Sequence, residues 1–156
     1  MIIEKPSNEE ISRLMDEYGA PILTERQVHF EDITYKNDYP ECKGEGVIKI
    51  TKDNKIAGVK HTGGQKYVLP QGRVWKDEDF DEGVKREAYE ETGFQIVITS
   101  FKEIRRLQIK FKNELLERWY LLFEGDIVNG EPIPKDQEEI EEVEFFVEVP
   151  WKQDFY

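Results

Sequence analysis

Arg86, Glu87, Glu90 and Glu91 crowd into the stretch REAYEETGF, residues 86–94. On a helix, positions three and four apart are neighbours, so the three glutamates share one face. Val84 and Ala88 then fall on another face and are expected to pack on a sheet. Like charges at this spacing destabilise an isolated helix by roughly 0.2–0.5 kcal/mol per pair. The end of a helix is also the negative pole of its dipole, so anions there are unfavourable. A hard divalent cation offsets both costs: Mg²⁺ takes oxygen ligands in octahedral geometry, keeps several waters and uses a few carboxylates. The competing reading is an acidic face left to solvent, and a chain with 24 Glu among 34 acidic residues forms such clusters easily. A calcium loop is excluded. With Asp77, Asp79 and Asp81 at the first, third and fifth positions, Glu82 stands where the loop needs Gly and Ala88 where it needs Glu, and a shift by one residue puts Phe80 at a ligand position.

The longer stretch LPQGRVWKDEDFDEGVKREAYEETGF decides between these readings. Gly72, Glu78, Arg86, Glu87, Ala88, Glu90, Glu91, Gly93 and Phe94 fulfil every fixed position of a Gly-x5-Glu-x7-Arg-Glu-apolar-x-Glu-Glu-x-Gly-apolar pattern. Seven fixed residues match by chance on the order of 10⁻⁵ times in such a chain, even with Glu at about 15%. The chain therefore resembles the Nudix (MutT-like) hydrolase family. The resemblance implies an α/β fold with a mixed β-sheet between helices, the motif forming a loop, a helix and a loop. It implies hydrolysis of a diphosphate linked to another group, in a small nucleotide substrate, with Mg²⁺ or Mn²⁺ as cofactor.

It also implies roles. Glu87, Glu90 and Glu91 would form the metal-binding face, with Glu91 the foremost ligand and Glu87 the next. One carboxylate would serve as general base. Arg86 would orient a glutamate through a bidentate pair rather than touch substrate. Gly72 would let the loop backbone approach the metal, with the Gln71 carbonyl a further ligand candidate. Glu78 reads as a brace or an outer metal contact, and Gly93 as a helix stop. A fourth acidic contributor is common in the family; Glu138, Glu139, Glu141 and Glu142 are the candidates. Marks of substrate class lie outside the motif. Lys110 stands where ADP-ribose-specific members carry a proline, and the SQPWPFPxS pattern of the NADH type is absent. LPQG is similar to motifs of dinucleoside polyphosphate, capped-RNA and some (d)NTP enzymes. ADP-ribose or nucleotide-sugar cleavage, and a non-catalytic ligand sensor, are the alternatives.

RRLQIKFK (105–112) is the dense basic stretch of an acidic chain. Arg105, Arg106, Lys110 and Lys112 are candidates for substrate phosphates, against a solvated strand face. Trp119, Tyr120, Tyr67 and Phe111 could stack on a base, although core packing competes for each. Trp75 stands out as a large apolar residue in a charged loop, either covering the site or packing beneath the loop. His29 and His61 have no paired ligand spacing and read as incidental. Cys42 has no activating partner in sequence.

The elements that must hold these residues are legible in outline. Ser7 and Glu10 form a capping-box pattern, Ile11, Leu14 and Met15 an apolar stripe, and Gly19 a stop, predicting a helix over 7–19. QVHFEDITY has strand character. GVIKIT (46–51) and KIAGVKH (55–61) read as a hairpin. Residues 80–92 read as the helix of the motif, capped by Asp79 or Asp81 and closed by Gly93. FQIVITSFKEI, RLQIKFK, LLERWYLLFEGDI and VEFFVEV read as strands, with NGEPIPKD a turn-rich loop. The predicted organisation is an N-terminal extension (1–43) followed by the hydrolase domain (44–156). Such domains usually carry a helix after the last strand. PWKQDFY is too short for one, so the 7–19 helix or a second copy, in a homodimer, is expected to cover that face of the sheet.

Composition sets the outer limits. The chain has 156 residues, 38% hydrophobic and 36% charged, with net charge −12. That length suits one core, and the aromatic content opposes disorder. The acidity weighs against a nonspecific grip on DNA, which needs Lys and Arg to neutralise phosphates. One cysteine allows no disulfide within the chain, and no signal segment or membrane span is expected. These point to a cytoplasmic protein without a membrane partner.

Overall fold

The computed structural model describes residues 2–30, 41–111 and 114–149, with the side chains of His29, Phe30 and Phe111 excepted. The expectations placed on His29, Phe111, Lys112, PWKQDFY and the end of QVHFEDITY fall outside the described part. In chain order the elements are β1 (Ile2–Glu4), α1 (Asn8–Tyr18), β2 (Ile22–Phe30), β3 (Cys42–Lys52), β4 (Lys55–His61), β5 (Tyr67–Val68), β6 (Gln71–Trp75), α2 (Phe80–Thr92), β7 (Phe94–Phe111), β8 (Glu114–Gly130) and β9 (Ile140–Phe146).

The strands join one mixed sheet in the order β2-β7-β8-β3-β4-β5, with β1 added to β8, β6 to β3 and β9 to β4. Asp53 and Asn54 both take positive φ, 53° and 62°. A two-residue hairpin requires this, and it sets Lys52 opposite Lys55. The extended stretches on either side of Arg105 join in the single strand β7, which pairs with β8 along nearly its whole length. Three register shifts interrupt that ladder, and such bulges let long strands bend. QGRVW, predicted as loop, is strand β6, because β3 is long enough to pair with β8 on one side and with β6 on the other.

The mixed sheet with two packed helices fits the expected α/β class, but the described helices do not enclose the sheet, because α1 does not cover the face opposite α2. Tyr18 meets Phe123 edge-on at 6.2 Å, and Phe80 of α2 lies 6.3 Å from the same ring. Leu14 is fully buried in the cluster that holds Phe80, Val84, Ala88, Phe101 and Phe123. Both helices therefore lie on one side of the sheet. The second cluster is drawn from strands and their connections: Val47, Leu69, Leu107, Ile109, Leu116 and Tyr120.

The first helix grips the second by its N-terminus. Ser7 caps α1 by accepting from Glu10 N at 3.1 Å. The Glu10 carboxylate does not return the capping-box bond. It accepts instead from Lys43 Nζ at 2.7 Å and from Phe80 N at 3.0 Å. Phe80 opens α2, whose own N-cap residue Asp79 makes no side-chain cap bond, so Glu10 caps the second helix from outside. Arg13 (2.9 Å) and Tyr18 Oη (2.7 Å) both donate to the buried Asp81. Burial alone would raise the Asp81 pKa, but these two donors hold it below the usual carboxylate range.

Arg13→Ala leaves Asp81 buried with Tyr18 alone and is expected to cost about 1–3 kcal/mol, measured by denaturant unfolding. A carboxylate with a depressed folded pKa stabilises above its unfolded value, and the gain fades as pH falls below about 4. Acid unfolding of Arg13→Ala is accordingly expected to show a weaker dependence in that range than the parent chain.

Candidate active site

Phe80, Val84 and Ala88 recur every four residues and form the buried stripe of α2. Glu91 lies three residues beyond Ala88, on that same stripe, and its exposure is 0%. The three glutamates therefore do not share one open face. Glu91 points into the protein, the Glu87 side chain is 13% exposed, and that of Glu90 is 42% exposed. The helix reads as amphipathic until its last turn, where the apolar series ends in a carboxylate.

The motif loop receives these side chains. Gln71 N donates to Glu91 Oε1 at 2.9 Å, while Oε2 has no hydrogen-bond partner among the described residues. Gly72 lies directly under Glu87: a Cβ there would stand 2.1 Å from the Glu87 carboxyl carbon. The requirement for Gly at 72 is therefore room for a carboxylate.

Arg86 takes the bracing role. Its Nε and NH2 donate to both oxygens of Glu78, at 3.1 and 2.7 Å, and NH2 also reaches the Arg73 carbonyl. NH1 donates to Glu87 at 2.9 Å and lies 3.4 Å from Glu90. Glu78 also accepts from Trp75 N at 3.1 Å. Burial would raise its pKa, but the Arg86 and Trp75 bonds hold it low. Arg86 and Glu78 thus tie the loop to the helix, and Arg86 passes its charge to Glu87.

Gly93 ends α2 in the left-handed region, at φ 82°. The chain returns to this end through residues 131–139, where Lys135 N and Asp136 N both donate to the Glu90 carbonyl at 2.9 Å. Beyond them Glu139 N donates to Asp136 Oδ1 at 3.1 Å and Thr62 N to the Glu139 carbonyl at 2.9 Å. Glu139 is thereby set beside Glu91. Glu138 turns instead to an open depression lined with Glu90, Lys135, Asp136 and Gln137. Among the described residues, His61, Glu91 and Glu139 bring one ligand atom each within 4.8 Å of one another.

His61, read from its spacing as incidental, stands beside Glu91 and Glu139. Nothing in its spacing marks it, because only the pairing of β4 with β9 brings it to Glu139. The Nδ1 atom lies 3.9 Å from a Glu139 oxygen, and a register shift falls between Lys60 and His61.

The carboxylates raise one another's proton affinity. Glu91 is pushed up to about 9 by burial and by Glu87, Glu139 and Glu45, against the bond from Gln71 N. Glu87 is pushed up to about 7 by burial, with Arg86 opposing and Glu90 and Glu139 reinforcing. Burial and Asp136 raise Glu139. A buried carboxylate with an unpartnered oxygen, facing further carboxylates, fits an oxygen-seeking divalent cation.

The basic candidates lie elsewhere on the sheet. Arg105 pairs with Glu103 at 3.1 Å, and Arg106 with Glu25 on β2. Trp119 packs against the larger core cluster and donates to Glu117 at 2.7 Å. Arg105 does belong to a cross-strand row through Tyr120 and Glu45 to Arg73 of the motif loop.

The model of the NUDIX domain family matches residues 41–151. No curated protein matches significantly in sequence. The fold is similar to a NUDIX hydrolase from Nitrosomonas europaea, at TM-score 0.58 and 22% identity over 76% of this chain and 65% of that one. It is similar to the Bacillus subtilis pyrophosphohydrolase, at 0.52 and 22% over 78% and 70%. A UDP-X diphosphatase follows at 0.53 and 18% over 91% and 60%. The chain thus spans less than two thirds of the first and third of these proteins. At these identities the likeness is one of fold. No described helix is long and apolar enough to cross a membrane.

A carboxyl group whose pKa is higher folded than unfolded loses stability as pH rises from the unfolded value toward the folded one. Glu91→Gln is therefore expected to stabilise the metal-free protein near pH 8, by on the order of 1–3 kcal/mol, in thermal melts. Saturating Mg²⁺ is expected to stabilise the parent chain and not the variant.

Proposed function

Because the chain belongs to the NUDIX family of phosphoric anhydride hydrolases, we propose that it cleaves the diphosphate linkage of a small nucleotide. The observation that carries this reading is the buried Glu91 carboxylate, one oxygen bound to Gln71 N and the other without a partner, beside Glu87 and Glu139. Glu87, Glu90 and Glu91 would hold Mg²⁺ or Mn²⁺, with the Gln71 carbonyl as a further ligand and Glu139 as the fourth acid. A divalent cation there supplies charge for a diphosphate and lowers the pKa of a bound water.

The chain's own residues do the positioning. Arg86 fixes Glu78 and Glu87 together, so the loop and helix present one arrangement. Burial, reinforced by Glu90 and Glu139, pushes Glu87 up to about 7 in the metal-free protein, and one of the carboxylates would serve as general base. Gly72 keeps space for Glu87. Arg105 is the basic candidate for substrate on its position alone, since its row leads to the motif loop; Arg105 and Arg106 are each paired with a glutamate. A (d)NTP or dinucleoside polyphosphate is favoured, supported by LPQG (69–72) and by Lys110 in place of proline. Nucleotide sugars and ADP-ribose form the second class. The complete set of carboxylates favours an enzyme over a ligand sensor, and the single cysteine suits a reducing cytosol.

A Mg²⁺-dependent phosphate-release panel over (d)NTPs, dinucleoside polyphosphates, ADP-ribose, nucleotide sugars and triphosphorylated RNA tests the proposal. Turnover is expected in the first two classes, falling at least about a hundredfold in Glu91→Gln. Folded protein inactive on the whole panel sinks the reading, and equal activity in Glu91→Gln sinks the assigned site.

A further inference from the structure

His61 lies outside the sequence motif, yet it enters the same cluster as Glu91 and Glu139. Two independent observations mark this as a ligand position. The first is the fully buried Glu91 carboxylate, which keeps an oxygen without a hydrogen-bond partner. The second is the way the other two residues are held. A register shift in the β4–β9 ladder falls at His61, and bulges beside active sites commonly re-aim a side chain. Thr62 N, next in the chain, donates to the Glu139 carbonyl, so the backbones carrying His61 and Glu139 are bonded to each other.

We propose that His61, Glu91 and Glu139 form a mixed nitrogen–oxygen site for a first-row transition-metal dication, giving this chain a metal preference that a carboxylate-only site lacks. The proposal rests on the reading of Glu91 as a metal ligand. Ligands about 2.1 Å from one ion lie no more than about 4.2 Å apart. The three ligand atoms are within 4.8 Å, so a small side-chain adjustment closes the site. The side chains of His61 and Glu139 are 43% and 51% exposed and free to make it, while Glu91 is fixed by the core. Imidazole suits iron, nickel, copper and zinc far better than magnesium, which prefers oxygen, and manganese, the weakest binder of the first-row series, is the most stringent test of a nitrogen ligand. The alternative is a surface ion pair between His61 and Glu139, with no ion between them.

Mn²⁺ is the probe. Electron spin-echo spectra of the Mn²⁺-loaded full chain, without nucleotide, are expected to show ¹⁴N coupling from a directly bound imidazole. His61→Ala and His61→Gln are both expected to lose that coupling and to bind Mn²⁺ about tenfold or more weakly, with Mg²⁺ affinity changed less than twofold in titration calorimetry. Absence of nitrogen coupling in the parent chain, or unchanged Mn²⁺ affinity in both variants, overturns the proposal. Coupling without turnover on any nucleotide removes the hydrolase reading and leaves the metal site standing. Turnover without coupling removes the metal site alone.

Discussion

The rest of the site depends on one constraint, the burial of a carboxylate at the C-terminal end of α2. Glu91 continues the stripe of Phe80, Val84 and Ala88, so helical geometry delivers it to the core as surely as it delivers the apolar residues. The environment there is hostile to charge: the helix dipole is negative, Glu87, Glu139 and Glu45 act on Glu91, and among the described residues Gln71 N is its one hydrogen-bond donor. Such an arrangement persists only where the surrounding structure over-determines it. Around Glu91 that means Gly72 making room for the neighbouring Glu87, Arg86 fixing the loop, and a returning segment closing the third side.

Both ends of α2 are held by parts of the chain distant in sequence. At the N-terminus, Glu10, Arg13 and Tyr18 of α1 supply a cap and an ion pair. At the C-terminus, Lys135 N and Asp136 N satisfy the Glu90 carbonyl. A helix carrying several like charges on its last turns gains little from its own propensity, so its stability comes from these attachments and from the apolar stripe. The N-terminal helix is thus bound to the catalytic motif through polar contacts as well as through Leu14 in the common core.

Much of this could be read from the sequence, and the exceptions have a common cause. Helix limits, the Asp53–Asn54 hairpin and the motif residues depend on neighbours in the chain, and their signals are local. Ser7 and Gly19 bound α1, and Gly93 ends α2. The shared glutamate face was misjudged because Ala88 and Glu91 are also three residues apart, and which stripe faces the core is decided by the sheet. β6 was hidden because its sequence has no apolar alternation; its partner β3 makes it a strand. The capping-box pattern gave the right helix start, yet tertiary contacts drew Glu10 to a different helix. His61 was invisible because it meets Glu139 only through long-range strand pairing.

The segment that carries Glu139 is bolted to the helix that carries Glu91, since Lys135 N and Asp136 N hang from the Glu90 carbonyl. The backbones that carry the two carboxylates are therefore tied together at the end of α2, and both are tied to the sheet, through Thr62 N on the Glu139 carbonyl and Gln71 N on the Glu91 carboxylate. Exchange of bound molecules with solvent falls to the exposed side chains at the rim, Glu90, His61 and Glu139. The floor of the site is the buried Glu91, and its rim is open to solvent.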